Sequence, residues 1–206
     1  VSRRRLVLWR HGRTSWNMEN RFQGKTDIAL DEVGVAQAER AARLLAALEP
    51  TAIIASPLQR AARTAQALAA RTGLPVAHDP DLVERDGGEW EGLTGAEIRA
   101  RYPAEHAIWQ PPGGETGAEV AKRVGGALER AVDGLADGGL LVVASHGAAL
   151  RLGMCHLLGL PEEFWERIGG LSNCCWTVLA EGRHGWRLID HNAGTLPEPV
   201  LSDDRA

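Results

Sequence analysis

The sequence predicts an α/β fold, a three-layer α/β/α sandwich around a central, mostly parallel mixed sheet. Short apolar runs at residues 6–9 (LVLW), 52–55 (AIIA) and 140–144 (LLVVA) each have the length and bounds of a buried strand. Segments with helical periodicity lie between them, the alternation expected of strands joined by crossover helices. Two later runs, 176–179 and 186–189, flank Gly182 and Gly185 and read as closing strands around a turn.

The first run stops at Arg10-His11-Gly12. In an open α/β sheet, ligands bind beyond the carboxyl ends of the strands, which is where His11 falls. An imidazole beside a guanidinium suits a nucleophile facing phosphate, with Arg10 balancing the anion and neutral His11 attacking phosphorus. Gly12 is read as letting the backbone turn sharply and approach a ligand. Residues 18–27 form a loop, and Asp31 caps a helix whose apolar face is Val35, Ala38, Ala42, Leu45 and Leu48.

The second run ends in Ser56-Pro57, a helix start with Ser56 as N-cap and Pro57 at the first helical position. That helix is expected to reach about Thr72, with Gly73 ending it. Arg60 falls in its first turn, where the positive end of the helix dipole disfavours a cation unless an anion lies against the same terminus. Residues 76–78 form a short strand, and residues 85–93 are a loop dense in carboxylates, at least one of them a candidate proton donor. A helix over about 94–102 precedes the breaker segment 109–114. Thr116 caps a helix with the stripe Val120, Val124, Leu128, Ala131 and Leu135, ended by Gly138-Gly139. The run 140–144 then delivers Ser145-His146-Gly147, placing a second histidine where a strand gives way to a helix, itself stopped by Gly159 and Pro161.

Composition narrows the function classes. With 206 residues, 44% hydrophobic and 24% charged, the chain supports one core, so a single catalytic domain is expected over 1–196 with a polar tail over 197–206. The net charge is −4 and Arg3-Arg4-Arg5, the one basic block, reads as a solvated cap on the first strand, so no nucleic-acid partner is expected. Cys155, Cys174 and Cys175 have no metal-ligand spacing and read as small buried residues of a reduced, cytoplasmic protein. No run approaches membrane-spanning length, and no membrane partner is expected. The remaining histidines, His78, His106, His156, His184 and His191, read as structural or exposed, and neither a metal nor another cofactor is expected. Trp16, Trp90 and Trp109 lie near the rim of the expected site.

Three strand ends thus bring basic groups to one edge of one sheet. Together with Asn17, Phe22-Gln23-Gly24, Ser56-Pro57-Leu58-Gln59-Arg60-Ala61, Leu82-Val83-Glu84, Gly88-Glu89-Trp90-Glu91-Gly92, Gly113-Gly114-Glu115-Thr116 and Ser145-His146-Gly147, this order resembles the histidine phosphatase superfamily, the phosphoglycerate-mutase-like group. The resemblance implies a phosphoglycerate-mutase-like fold in which His11 takes the phosphoryl group as phosphohistidine. It implies a phosphate pocket lined by Arg10, Arg60 and His146, with Asn17, Gln23, Gly24 and Gly147 helping to hold phosphate or leaving group. It makes Glu84 the acid that protonates the departing alkoxide and then the base that activates water. The guanidinium groups would supply the charge a metal supplies elsewhere, and they favour the neutral form of His11.

Mutases of this superfamily carry a longer segment after that glutamate, with a lysine and a paired-arginine stretch. Here Glu84 is followed at once by the 85–92 loop, and no Arg-Arg pair occurs before Val120, which favours hydrolysis of a small phosphorylated substrate. A cofactor-dependent phosphoglycerate mutase and a regulatory phosphatase acting on phosphorylated protein are the alternatives. Residues 169–173 with Trp176, Thr177, Trp186-Arg187-Leu188 and Asn192 are similar to actinobacterial glucosyl-3-phosphoglycerate phosphatases, and a homodimer is a further expectation. Arg13, Arg21, Lys25 and Arg85 either meet a substrate carboxylate or face solvent.

Overall fold

The strands of the computed structural model, which describes residues 3–194, are β1 (Arg5–Arg10), β2 (Ala52–Ala55), β3 (Val76–His78), β4 (Leu140–Ser145), β5 (Trp176–Gly182) and β6 (Gly185–Ala193). They form one sheet in the order β3-β2-β4-β1-β5-β6. The first four in that order run parallel, and β5 and β6 are antiparallel additions at one edge. The expected polar tail over 197–206 lies outside the described residues.

The helices are α1 (Ser15–Met18), α2 (Glu32–Ala46), α3 (Gln59–Thr72), α4 (Gly95–Arg101), α5 (Pro103–Ala107), α6 (Gly117–Asp133) and α7 (Gly147–Leu157). Alternation along β1 assigns the four long ones, α2, α3, α6 and α7, to two layers. Leu6 and Leu8 share a core with Val120, Val124 and Leu128 of α6 and Leu150 of α7. Val7 and Trp9 share the other core with Ala38, Ala42 and Leu45 of α2 and Ala65 and Leu68 of α3. All four side chains of residues 6–9 are fully buried, each worth roughly 1.5–3 kcal/mol of hydrophobic stabilisation for a large apolar group. The strand that leads into His11 is therefore a rigid mount.

Several local readings hold. Asp31 Oδ1 accepts the Gly34 N–H at 2.7 Å and caps α2, Gly73 ends α3 in the left-handed conformation, and Thr116 forms a reciprocal capping box with Glu119. Others are corrected. The N-cap of α3 is Leu58, not Ser56, and it makes no side-chain cap; the Ser56 hydroxyl is bonded to His146 instead. The short helices α1 and α5 interrupt segments without helical periodicity, α1 through a capping box between Thr14 and Asn17. Leu48 lies beyond the end of α2 and is exposed. Arg4 is no solvated cap, since its guanidinium clasps Glu181 at 2.6 Å and the Val132 carbonyl at 3.0 Å. Gly12 is required by packing: a Cβ there would overlap the Gly34 carbonyl where β1 passes the start of α2.

Candidate active site

The register of the parallel strands builds the centre of the site. Arg10 of β1 pairs with Ser145 of β4, so His11 and His146, the next residues, emerge side by side with ring centroids 5.3 Å apart. The His11 N–H donates to the Ser145 carbonyl at 2.9 Å, and the Arg10 N–H to the Cys175 carbonyl at 3.0 Å. The His11 carbonyl accepts from Cys174 N–H at 3.1 Å and from Asn173 Nδ2 at 3.2 Å. Cys174 reaches it from a left-handed backbone, φ 56°. The backbone around His11 is fixed from both sides.

The His11 ring is fixed too. Its Nδ1 lies 2.7 Å from the Gly12 carbonyl, which can only accept, so Nδ1 carries the proton and Nε2 holds the free lone pair. Burial holds its pKa well below the ordinary value of 6.5, and the Arg60 and Arg10 charges push the same way. The arginines were the expected cause; desolvation is the larger one. Either way the imidazole is neutral at neutral pH.

Arg60 is fully buried, and Arg10 is 4% exposed. Each is steered by neutral acceptors: Arg10 Nη1 donates to the Leu171 carbonyl at 2.6 Å, and Arg60 Nη1 and Nη2 to the carbonyls of Thr26 (2.8 Å) and Gly24 (2.7 Å). These contacts orient the guanidinium groups without a carboxylate directly on them. Burial brings Arg60 down to about 10, with Glu84 and Asp27 opposing the fall, so it remains charged. Ser56 Oγ accepts from Leu58 N–H at 3.3 Å and lies 2.8 Å from His146 Nε2, so that a Ser56 hydroxyl donating to Nε2 would put the imidazole proton on Nδ1. Burial, then Arg60, His11 and Arg10, hold the His146 pKa well below 6.5. Arg10 Nε, Arg60 Nε and His146 Nδ1 are all buried and make no hydrogen bond within the protein. Buried donors left unpaired are costly, and a cluster of them beside a neutral imidazole is suited to an oxyanion.

Glu84 enters from the loop after β3. Its Oε1 accepts the N–H groups of Arg85 (2.8 Å) and Ala149 (2.9 Å), and Oε2 that of Ala148 at 3.3 Å. The carboxylate thereby supplies the cap that α7 lacks, since its N-cap residue His146 makes no side-chain cap. Arg123 grips the approach to it through the carbonyls of Asp81 (2.7 Å) and Val83 (3.0 Å), and is itself paired with Glu115 at 2.7 Å.

A cleft of about 620 Å³, part of it open to solvent, is lined by Arg10, His11, Gln23, Gly24, Arg60, Glu84 and Gly147 of the expected set. His146 stands behind it against His11. Gln23 Oε1 is 3.0 Å from Thr14 Oγ1. Gly24 adopts φ 52° beneath the Glu91 carboxylate. Gly147 opens α7 against Arg10, where a Cβ would lie 3.5 Å from Nε. Asn17 is not in the lining: its Oδ1 accepts from Thr14 N–H (3.1 Å) and Asn173 Nδ2 (3.2 Å), buttressing the His11 loop from behind.

The rest of the cleft combines residues the sequence pointed to, Phe22, Trp109 and Arg85, with Arg151 and Leu152, which it did not single out. Together with Ala148 these complete its wall. Arg85 is 5% exposed, settling it against the solvent reading, whereas Arg13 is bound to Asp31 and Arg21 to Glu19. Glu91, read as one of many acids, accepts the N–H groups of Lys25 (2.8 Å), Thr26 (3.0 Å) and Gly87 (3.0 Å), and so ties two loops of the rim together. Trp90 is fully buried beneath Trp109 and Phe22. Among the described residues no group of three His, Cys, Asp or Glu is placed to hold a metal ion, and no helix is long and apolar enough to cross a membrane.

The model of branch 1 of the histidine phosphatase superfamily matches residues 6–194. A glucosyl-3-phosphoglycerate phosphatase from Mycolicibacterium vanbaalenii is 38% identical over 189 residues, spanning 86% of this chain and 84% of that protein. Phosphoserine phosphatase 1 of Hydrogenobacter thermophilus is 34% identical, over 85% of each chain. The solved structure of a mycobacterial glucosyl-3-phosphoglycerate phosphatase in complex with VO3 superposes with a TM-score of 0.88 at 38% identity, covering 93% of this chain and all of that one. Together with the mixed six-stranded sheet, these likenesses make the fold phosphoglycerate-mutase-like.

Proposed function

The chain belongs to branch 1 of the histidine phosphatase superfamily and is a phosphoric monoester hydrolase, and from that premise we propose how its residues act and on what. His11 Nε2 attacks phosphorus, forming the P–N bond as the P–O ester bond breaks. The charge that spreads over the equatorial oxygens is met by Arg10 Nε, Arg60 Nε and His146 Nδ1, already in place and needing no reorganisation. Gln23, Gly24 and Gly147 shape the floor, and Asn17 supports it through Thr14. Glu84 gives its proton to the departing alkoxide. It then takes a proton from the water whose oxygen attacks phosphohistidine, releasing phosphate and restoring His11. The observation that carries this reading is the trio of buried, unpartnered side-chain nitrogens, Arg10 Nε, Arg60 Nε and His146 Nδ1, beside an imidazole whose Nδ1 is occupied by Gly12.

The substrate is a small phosphorylated metabolite, and the likeness to glucosyl-3-phosphoglycerate phosphatases supports an ester of that type. The proposal includes a single catalytic domain over 1–196 in a cytoplasmic setting, supported by free, buried cysteines, and a homodimer, supported by exposed Leu188 and Ile189 on the edge strand β6. A panel of phosphate esters tests the reaction. Free phosphate should accumulate from sugar–glycerate esters. With 3-phosphoglycerate and 2,3-bisphosphoglycerate together, isomerisation outrunning phosphate release would make the protein a mutase and reject hydrolysis.

A further inference from the structure

We propose that Arg151 and Arg85 form a rim subsite for a carboxylate on the leaving-group side of the substrate. The inference rests on the phosphomonoesterase reading and adds the class of ester: one with an acid group close to the phosphate. A phosphate dianion is matched by Arg10 and Arg60, yet the same cleft wall carries these two further guanidinium groups. Arg151 Nη1 is tied to the Trp165 carbonyl at 3.2 Å, while its buried Nε makes no hydrogen bond within the protein. The Nε–Nη2 edge is the side of a guanidinium that meets a planar carboxylate with two parallel bonds, and it is the edge left for a ligand.

Their position assigns the side of the substrate. Arg151 lies one helical turn beyond Gly147 on α7, on the same face, and the first N–H groups of that helix hold Glu84. Arg85 follows Glu84 directly and is anchored by the carbonyls of Glu115 (2.8 Å) and Trp109 (3.0 Å). Both guanidinium groups therefore share a cleft wall with Glu84, the residue that faces the leaving oxygen. Trp109 holds a left-handed backbone, φ 49°, unusual for so bulky a residue, and packs its ring on Trp90 at 5.1 Å between centroids. Strain maintained in a cleft wall marks a functional position. The apolar surface there excludes water beside Arg85 and strengthens charge pairing.

The test compares kcat/KM for 3-phosphoglycerate, for glycerol 3-phosphate, which lacks the carboxylate, and for p-nitrophenyl phosphate, using wild type, Arg151→Met and Arg151→Lys. The wild type should prefer 3-phosphoglycerate over glycerol 3-phosphate by about tenfold or more, as a charge-assisted pair implies. Arg151→Met should bring that ratio close to one, chiefly by raising KM for the acid ester, and Arg151→Lys should recover part of it. A wild type without the preference, or an Arg151→Met variant that retains it, would overturn the subsite while the hydrolase stands. Turnover of none of the three esters would remove the hydrolase reading and the subsite with it.

Discussion

Replacing Arg60 with methionine separates what the site needs from what the fold needs. Arg60 is completely buried, and burial brings its pKa down to about 10, so that environment tolerates its charge poorly. At about 1.4 kcal/mol per tenfold change in proton affinity, the charge costs the native state roughly 3 kcal/mol relative to a neutral side chain. Against that stand the hydrogen bonds to the Gly24 and Thr26 carbonyls, each worth about 1 kcal/mol. The balance leaves Arg60→Met within about 1 kcal/mol of wild type, on the stable side. Urea unfolding followed by tryptophan fluorescence reads this directly. Added inorganic phosphate should stabilise the wild type by mass action and do little for the variant, while kcat/KM for p-nitrophenyl phosphate should fall roughly 10²–10³-fold. A loss of about 3 kcal/mol or more without phosphate would show instead that Arg60 serves the fold.

Because burial holds the native pKa values of His11 and His146 well below 6.5, the unfolded chain binds protons that the native chain refuses. Stability should thus be full above about pH 7.5 and decline as pH falls through 6.5, by up to about 1.4 kcal/mol per pH unit for each histidine; urea midpoints between pH 5 and 8 should show a shallower slope in His11→Asn, and an unchanged slope would count against neutral burial. Glu84→Gln should slow hydrolysis of alkyl phosphates far more than of p-nitrophenyl phosphate, whose phenolate leaves unaided; equal losses on both would remove Glu84 from the acid role. Gly12→Ala should destabilise by about 1–3 kcal/mol through its clash with the Gly34 carbonyl, read as a lowered urea midpoint; an unchanged midpoint would mean that β1 and α2 separate easily.

What the sequence made legible follows from locality. The apolar runs feeding Arg10-His11-Gly12 and Ser145-His146-Gly147 announce their own strands, and short-range turn chemistry announces where they end. From these alone the basic edge of the sheet is recoverable, as are the caps at Asp31 and Thr116. The failures are all long-range. Ser56 has the neighbours of an N-cap, but its hydroxyl is claimed by His146, ninety residues away in the chain. Arg151 carries no local signal, because only the packing of α7 beside the Glu84 loop brings it to the cleft. Glu91 looked like one acid among many until two loops folded onto it.

If His11 is the nucleophile, it carries the phosphoryl group during turnover. Rapid mixing of enzyme with ³²P-labelled ester, quenched in alkali and digested, measures it directly. A base-stable, acid-labile label should appear on the peptide containing His11, formed at a rate no slower than turnover and absent from His11→Asn. Turnover without any such label, or a label on another residue, would contradict it.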